Sequence, residues 1–287
     1  MSTHERAVES EVRSDDGTTI AFEQSGRGPA VVLVSSALAD RSDTRKLAGI
    51  LAGHFTVINY DRRGRGASSD GAAYAVEREV QDIAALIAHA GGSASLFGSS
   101  SGAVLALRAA AAGLGVDRLV LHEPPFSVTP EAFGPPVGFA GHIDALLAED
   151  RRGEAVKAFM VQAQNMPALM AGSMRLMPRV WRTLTGMAHT LPYDLAVMGD
   201  TQQGRPLERR PWCAVKAPVL VLTGSRSPQG FERAARALTE VLPDARHRRL
   251  KGLNHGAVVM APKKIAPEII GFLQNRPVHG RHGVGHE

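Results

Sequence analysis

Apolar residues in this chain come in short uninterrupted blocks separated by longer amphipathic stretches. Residues 30–34, 94–97 and 218–222 are apolar or nearly so, and apolar residues also dominate 55–60 and close 117–121. Continuous runs of that length mark strands buried on both faces. Between them, residues 42–51, 76–90, 103–112, 231–241 and 263–273 have helical character. In the second of these, Val80, Ile83, Ala84 and Ile87 recur at helical spacing. Upstream, residues 8–13 and 18–24 are predicted to form two strands joined across Asp15-Asp16-Gly17, a hairpin turn signal. Residues 246–250 supply a last strand.

Strands alternating with helices imply right-handed crossovers and a mostly parallel sheet covered on both faces, an α/β fold. The first hairpin adds an antiparallel edge. Residues 126–211 interrupt the alternation: helical in tendency, broken by prolines, and carrying seven of the nine methionines. That stretch is read as a helical lid inserted after the sixth strand, over the C-terminal strand edge where ligands bind in such sheets. The expected organisation is a core of residues 1–125 and 212–275, a lid of 126–211, and a flexible tail of 276–287. The tail's His279, His282 and His286 are taken as part of a frayed terminus.

Composition narrows the partners. The 287 residues are 44% hydrophobic, ample for a core. The net charge of +5 comes from arginines scattered along the chain, and aromatic residues are only 5%. Clustered basic residues and stacking aromatics, the marks of nucleic-acid binders, are missing, so no nucleic-acid partner is expected. Residues 1–10 are polar and lack the apolar segment of a signal peptide, and no run approaches membrane-span length. With Cys213 as the sole cysteine, the expectation is a cytoplasmic protein without a disulfide or a membrane partner, its oligomeric state open. No glycine-rich nucleotide fingerprint occurs, so no cofactor is expected.

The candidate chemistry centres on Leu96-Phe97-Gly98-Ser99-Ser100-Ser101-Gly102. A strand runs into a G-x-S-x-G corner and a helix follows, the setting in which the central serine projects its hydroxyl above the sheet. Only Ser100 has glycine two residues away on both sides. An ordinary Gly/Ser loop would use the same letters. A serine hydroxyl needs a base, and His255, in the loop after the last strand, is the best placed histidine.

The order Ser100, lid, His255 resembles the α/β-hydrolase superfamily. So do Tyr60-Asp61-Arg62-Arg63-Gly64-Arg65-Gly66, similar to that family's turn after its fourth strand, and Leu121-His122-Glu123-Pro124-Pro125-Phe126, similar to a segment of bacterial members. The resemblance spans roughly residues 12–273 and implies a serine nucleophile, a histidine base and an acid. It departs in two places. The family's usual acid follows the seventh strand, where this chain has Ser227, and the next carboxylate, Glu232, lies on the following helix. The resemblance then implies Glu123, at the end of the sixth strand, as the acid. Ser35-Ser36 replaces the usual His-Gly after the third strand, leaving the amides of Ala37 and Ser101 as the implied oxyanion donors. A serine at the elbow argues against the dehalogenases and epoxide hydrolases of this fold, which use aspartate there. The expected function is hydrolysis of an ester, thioester or lactone of a fairly apolar small molecule, with the lid methionines suggesting an adaptable pocket. The alternatives are carbon–carbon bond hydrolysis, acyl transfer, or a non-catalytic binding protein on the same fold.

Overall fold

The computed structural model describes residues 7–130 and 134–274; the tail expected at 276–287 lies outside the described residues. Eight strands form one sheet: β1 (Val8–Arg13), β2 (Thr19–Ser25), β3 (Ala30–Val34), β4 (Thr56–Tyr60), β5 (Ala94–Ser99), β6 (Val116–His122), β7 (Val219–Gly224) and β8 (Ala245–Leu250). Their order is β1-β2-β4-β3-β5-β6-β7-β8. The β1–β2 and β2–β4 pairings are antiparallel and all the others parallel. The two edges are charged: Glu9, Glu11 and Arg13 on β1, Arg246, Arg248 and Arg249 on β8. Charge on an edge strand discourages pairing with another chain.

The continuous apolar runs are explained by the two layers of helices. Val32 and Val34 of β3 point into one core, with α2 (Val76–His89), α3 (Ser101–Ala111) and α9 (Gln229–Val241). Their neighbours Val31 and Leu33 point into the other, with α1 (Arg41–Leu51), α10 (Ala257–Met260) and α11 (Pro262–Gln274). The short α10 has too few residues to show a period and is not foreseen by the pattern.

Between β6 and β7 the chain builds a helical insert: α4 (Phe139–Ala148), α5 (Arg152–Ala158) running into a π-helical turn (Phe159–Ala163), α6 (Ala168–Ser173), α7 (Pro178–Gly186) and α8 (Leu191–Met198). The insert has its own apolar core, including Phe139, Ile143, Val156 and Leu191, which closes on Ala37 and Leu38 of the β3–α1 loop. That contact sets the insert over the C-terminal ends of the central strands.

Candidate active site

Ser100 is the single residue between β5 and α3, since β5 runs to Ser99 and α3 begins at Ser101. The helix starts two residues earlier than its apolar pattern suggests, and the whole corner falls on one residue. Ser100 has φ 55° and ψ −125°, a conformation that non-glycine residues adopt at a cost of about 1–3 kcal/mol and keep only where the surroundings impose it. Here the Ser100 amide donates to the His122 carbonyl (2.9 Å) and the Ser100 carbonyl accepts from the Ala103 amide (2.9 Å). The flanking glycines are steric necessities. A Cβ on Gly98 would overlap the Gly102 carbonyl oxygen, and one on Gly102 would overlap the carbonyl oxygens of Val34 and Ser35. As N-cap of α3, Ser100 makes no side-chain capping bond. Its hydroxyl is therefore not engaged by the helix whose first amides surround it.

Glu123 follows β6 directly and also has a left-handed backbone, φ 49°. Its amide donates to the Leu222 carbonyl (3.0 Å), which fixes the turn away from the strand. The side chain is fully buried and both oxygens are used. Oε1 accepts from the Gly224 amide (2.6 Å), and Oε2 lies 2.8 Å from His255 Nδ1. Burial pushes the Glu123 carboxyl pKa up, but the His255 hydrogen bond and the nearby rings outweigh it and hold the group below the usual carboxylate range. Ser227, at the position where the acid is more often found, is half-buried with its Oγ enclosed next to this carboxylate, and adds to the lowering without forming a full hydrogen bond. Glu232 turns away to Arg236 (2.7 Å) and Arg249 (3.3 Å).

His255 sits on the loop after β8, its side chain about one-third exposed (34%). The ring stacks on Phe231 with centroids 4.8 Å apart and planes at 17°. Beneath it lies His122, fully buried, with Nδ1 3.3 Å from Ser99 Oγ and Nε2 without a partner among the described residues. Burial drives the His122 pKa down to about 4, so this ring is neutral near pH 7 and does not repel a charged His255.

Ser100, Ser101, Ala37 and His255 line one small cavity of about 80 Å³ that continues into an open mouth. Its walls are mostly apolar, with Pro125 and Phe231 from the sheet side and Phe159, Leu195 and Met198 from the insert. Of the insert's methionines only Met198 lines this cavity; Met160 and Met187 are buried in the insert's own core and Met170 and Met177 are exposed. The methionine richness of the insert thus reflects its packing more than the pocket wall. A more open depression at the opposite end of the strands, beside Pro29, Thr56 and Asp117, gathers no comparable set of groups.

The residues that sequence reasoning missed lie under the insert. Arg62, Arg63 and Arg65 are all buried. Asp61 shapes their turn, accepting from the amides of Arg41 (2.8 Å) and Ala67 (2.9 Å). Arg62 is held by Glu79 of α2 (2.7 Å) and by Asp194 of α8 (2.8 Å), and Arg65 by the other oxygen of Asp194 (2.7 Å). Ser101 Oγ donates to Asp194 (2.8 Å), and Arg65 donates to the Ser36 carbonyl (2.7 Å). Burial works to raise the Asp194 pKa, but Arg65 and Arg62 hold it below the ordinary range.

Residues 31–268 match the model of the alpha/beta hydrolase family. The chain belongs to that family, whose membership supports a hydrolase enzyme, and its sheet has the mostly parallel order of that fold. It is 45% identical to a crystallised alpha/beta hydrolase from Sphaerobacter thermophilus, with a TM-score of 0.85 over 92% of this chain and 100% of that one. The esterase RhEst1 from Rhodococcus shares the fold at 22% identity, with a TM-score of 0.67 over 92% of this chain and 98% of its own. Among curated proteins the chain is 28% identical over 262 residues to polyketide synthase ThaQ of Burkholderia thailandensis. That match covers 86% of this chain but spans only 12% of the synthase's length. Among the described residues no helix is long and apolar enough to cross a membrane.

Proposed function

We propose that the protein is a serine hydrolase that cleaves an ester, thioester or lactone of a fairly apolar small molecule, with the insert acting as the lid of its pocket. The observation that carries this reading is the 2.8 Å contact between Glu123 and His255 at the mouth of the cavity that also holds the strained Ser100. In this scheme His255 takes the proton from Ser100 Oγ as the oxygen adds to the substrate carbonyl carbon, and the carbonyl π pair moves onto its oxygen. Glu123 keeps the Nδ1 proton of the ring in place and stabilises the imidazolium. The amides of Ser101 and Ala37 receive the oxyanion. His255 then protonates the leaving group, and water releases the acyl enzyme by the same steps in reverse. Phe159, Leu195, Met198 and Phe231 favour an apolar substrate arm.

The test is labelling by a fluorophosphonate, which reacts only with an activated serine. The expected result is one labelled peptide, the one containing Ser100, together with hydrolysis of a short aryl ester. A chain that neither labels nor hydrolyses any of a panel of esters, thioesters and lactones is not a serine hydrolase.

A further inference from the structure

Arg65 and Asp194 belong to no motif of the proposed triad, yet each reaches one of the two oxyanion donors. The link to Ala37 runs through a single peptide group. Arg65 Nη1 holds the Ser36 carbonyl at 2.7 Å. That carbonyl and the Ala37 N–H share one planar peptide, and among the described residues the only cis bond is Arg210–Pro211. In a trans peptide the C=O and N–H point in opposite directions. With the oxygen fixed on Arg65, the Ala37 N–H must face the other way, and Ala37 borders the cavity beside Ser100. The next residue, Leu38, has φ 54°, a conformation its side chain disfavours, so this loop needs something to hold it.

The link to Ser101 runs through its hydroxyl, which donates to Asp194 Oδ1 at 2.8 Å. Asp194 accepts from Arg62 through the same oxygen (2.8 Å) and from Arg65 through the other (2.7 Å). Arg62 and Arg65 show no exposed surface and Asp194 only 1%. Glu79 supplies the fourth charge, so two cations face two anions in a dry cluster. Three of the four come from the body of the fold; Asp194 alone comes from the insert, on α8.

We infer that Arg65 and Asp194 form a positioning clamp that sets both oxyanion donors at once, so that the hole is complete only while α8 is docked. The clamp deepens the proposed serine-hydrolase reading and rests on it. Neither residue touches the reacting atoms. Each acts through a backbone group whose direction it fixes: Arg65 on the Ser36–Ala37 peptide, Asp194 on the first residue of α3. A loss of the clamp therefore weakens the grip on the oxyanion and leaves the binding of uncharged substrate as it was.

The experiment compares the unaltered protein with Asp194→Asn, Arg65→Lys and Ser101→Ala. Each is measured for fluorophosphonate labelling, kcat and KM on an aryl ester, and inhibition by an aryl trifluoromethyl ketone. Ser100 adds to that ketone's carbonyl, its proton passes to His255, and the resulting alkoxide occupies the oxyanion hole. Asp194→Asn is expected to lower kcat by ~10–100-fold, below the full loss of one oxyanion donor, to leave KM within about two-fold, and to weaken the ketone in step with kcat. Arg65→Lys keeps the charge and is expected to recover only part of the grip, because an ammonium cannot span Ser36 and Asp194 as the fork does. Ser101→Ala leaves every ion pair in place, folds if the others do not, and is expected to show the same split at ~3–10-fold. The clamp is overturned if the folded variants keep kcat and ketone affinity, or if kcat and KM deteriorate together. If the unaltered protein labels at Ser100 and hydrolyses ester, such a result overturns the clamp alone. If the unaltered protein does neither, the hydrolase reading falls and the clamp with it.

Discussion

Glu123 and Asp194 are both enclosed carboxylates near the elbow, one supplied by the sheet and the other by the insert. Glu123 faces a histidine that is one-third exposed (34%), while Asp194 faces two guanidinium groups with no exposed surface. Both have lowered pKa values, but for different reasons. Glu123 is lowered chiefly by a hydrogen bond to a group that can gain and lose a proton. Asp194 is lowered by cations that never lose theirs. The first arrangement suits proton transfer and the second suits fixed geometry. A third carboxylate, Asp43 on α1, makes no ion pair or side-chain hydrogen bond among the described residues, and burial with Asp40 nearby raises its pKa to about 6.

The sharpest way to break the comparison is to remove what Glu123 serves. Ser100→Ala is expected to lower kcat on an aryl ester by on the order of 10⁶, and residual turnover close to the parent rate would mean that another serine attacks. Glu123→Gln is expected to keep the fold and lower turnover by ~10⁴, by analogy with the Asp-to-Asn change in the serine-protease triad. Asp194→Asn must do far less. Equal losses from the two substitutions would erase the distinction. Adding Ser227→Asp to Glu123→Gln is expected to recover part of the activity, because Ser227 lies against the same carboxylate.

Stability measured against pH sharpens it further. His122 has its folded pKa depressed from 6.5 to about 4, so the unfolded chain binds the extra proton first. The resulting stability is present above pH 6.5 and is lost as pH falls toward 4, by about 3 kcal/mol. In His122→Asn that part of the slope in denaturant-derived stability is expected to vanish; an unchanged slope would place the acid sensitivity elsewhere. Asp43 has the opposite sign. Its carboxyl is raised, so stability is lost as pH rises from 3.8 through about 6. Asp43→Asn is expected to gain about 1 kcal/mol at pH 7, a figure reduced for the group's partial exposure. Thermal melts of the two proteins should converge below pH 4.

The fold and the Glu123 side of the site were legible in the sequence for local reasons. Residues 30–34 form a strand at their predicted bounds because a five-residue apolar run between Gly28-Pro29 and Ser35-Ser36 has little else to become. Ser100 was marked by its glycines, and Glu123 by the lack of any carboxylate at Ser227. The Asp194 side was not legible. Arg62 and Arg65 stand in the sequence only as members of a family-like turn, and their partner lies 132 and 129 positions away. The one available clue was on α2, where Glu79 and Asp82 interrupt the buried face at i, i+3 spacing. A carboxylate on an apolar stripe calls for a cation, and the neighbouring arginines were at hand.

The fastening of α8 also bears on how material passes in and out. Tyr193 stacks on Tyr74 with centroids 3.9 Å apart, Tyr74 donates to the Tyr193 carbonyl (3.1 Å), and Asp194 lies within the ion cluster. Swinging this helix outward would strip partners from charges in a dry interior, at a cost of several kcal/mol for each ion. A doorway that must open on every turnover cannot be hinged there. The opposite wall, where Phe159 and Gln164 border the cavity, is held by a π-helical turn without ionic fastening. Traffic through that wall would let the machine exchange reactant for product while its charged keystone stays seated.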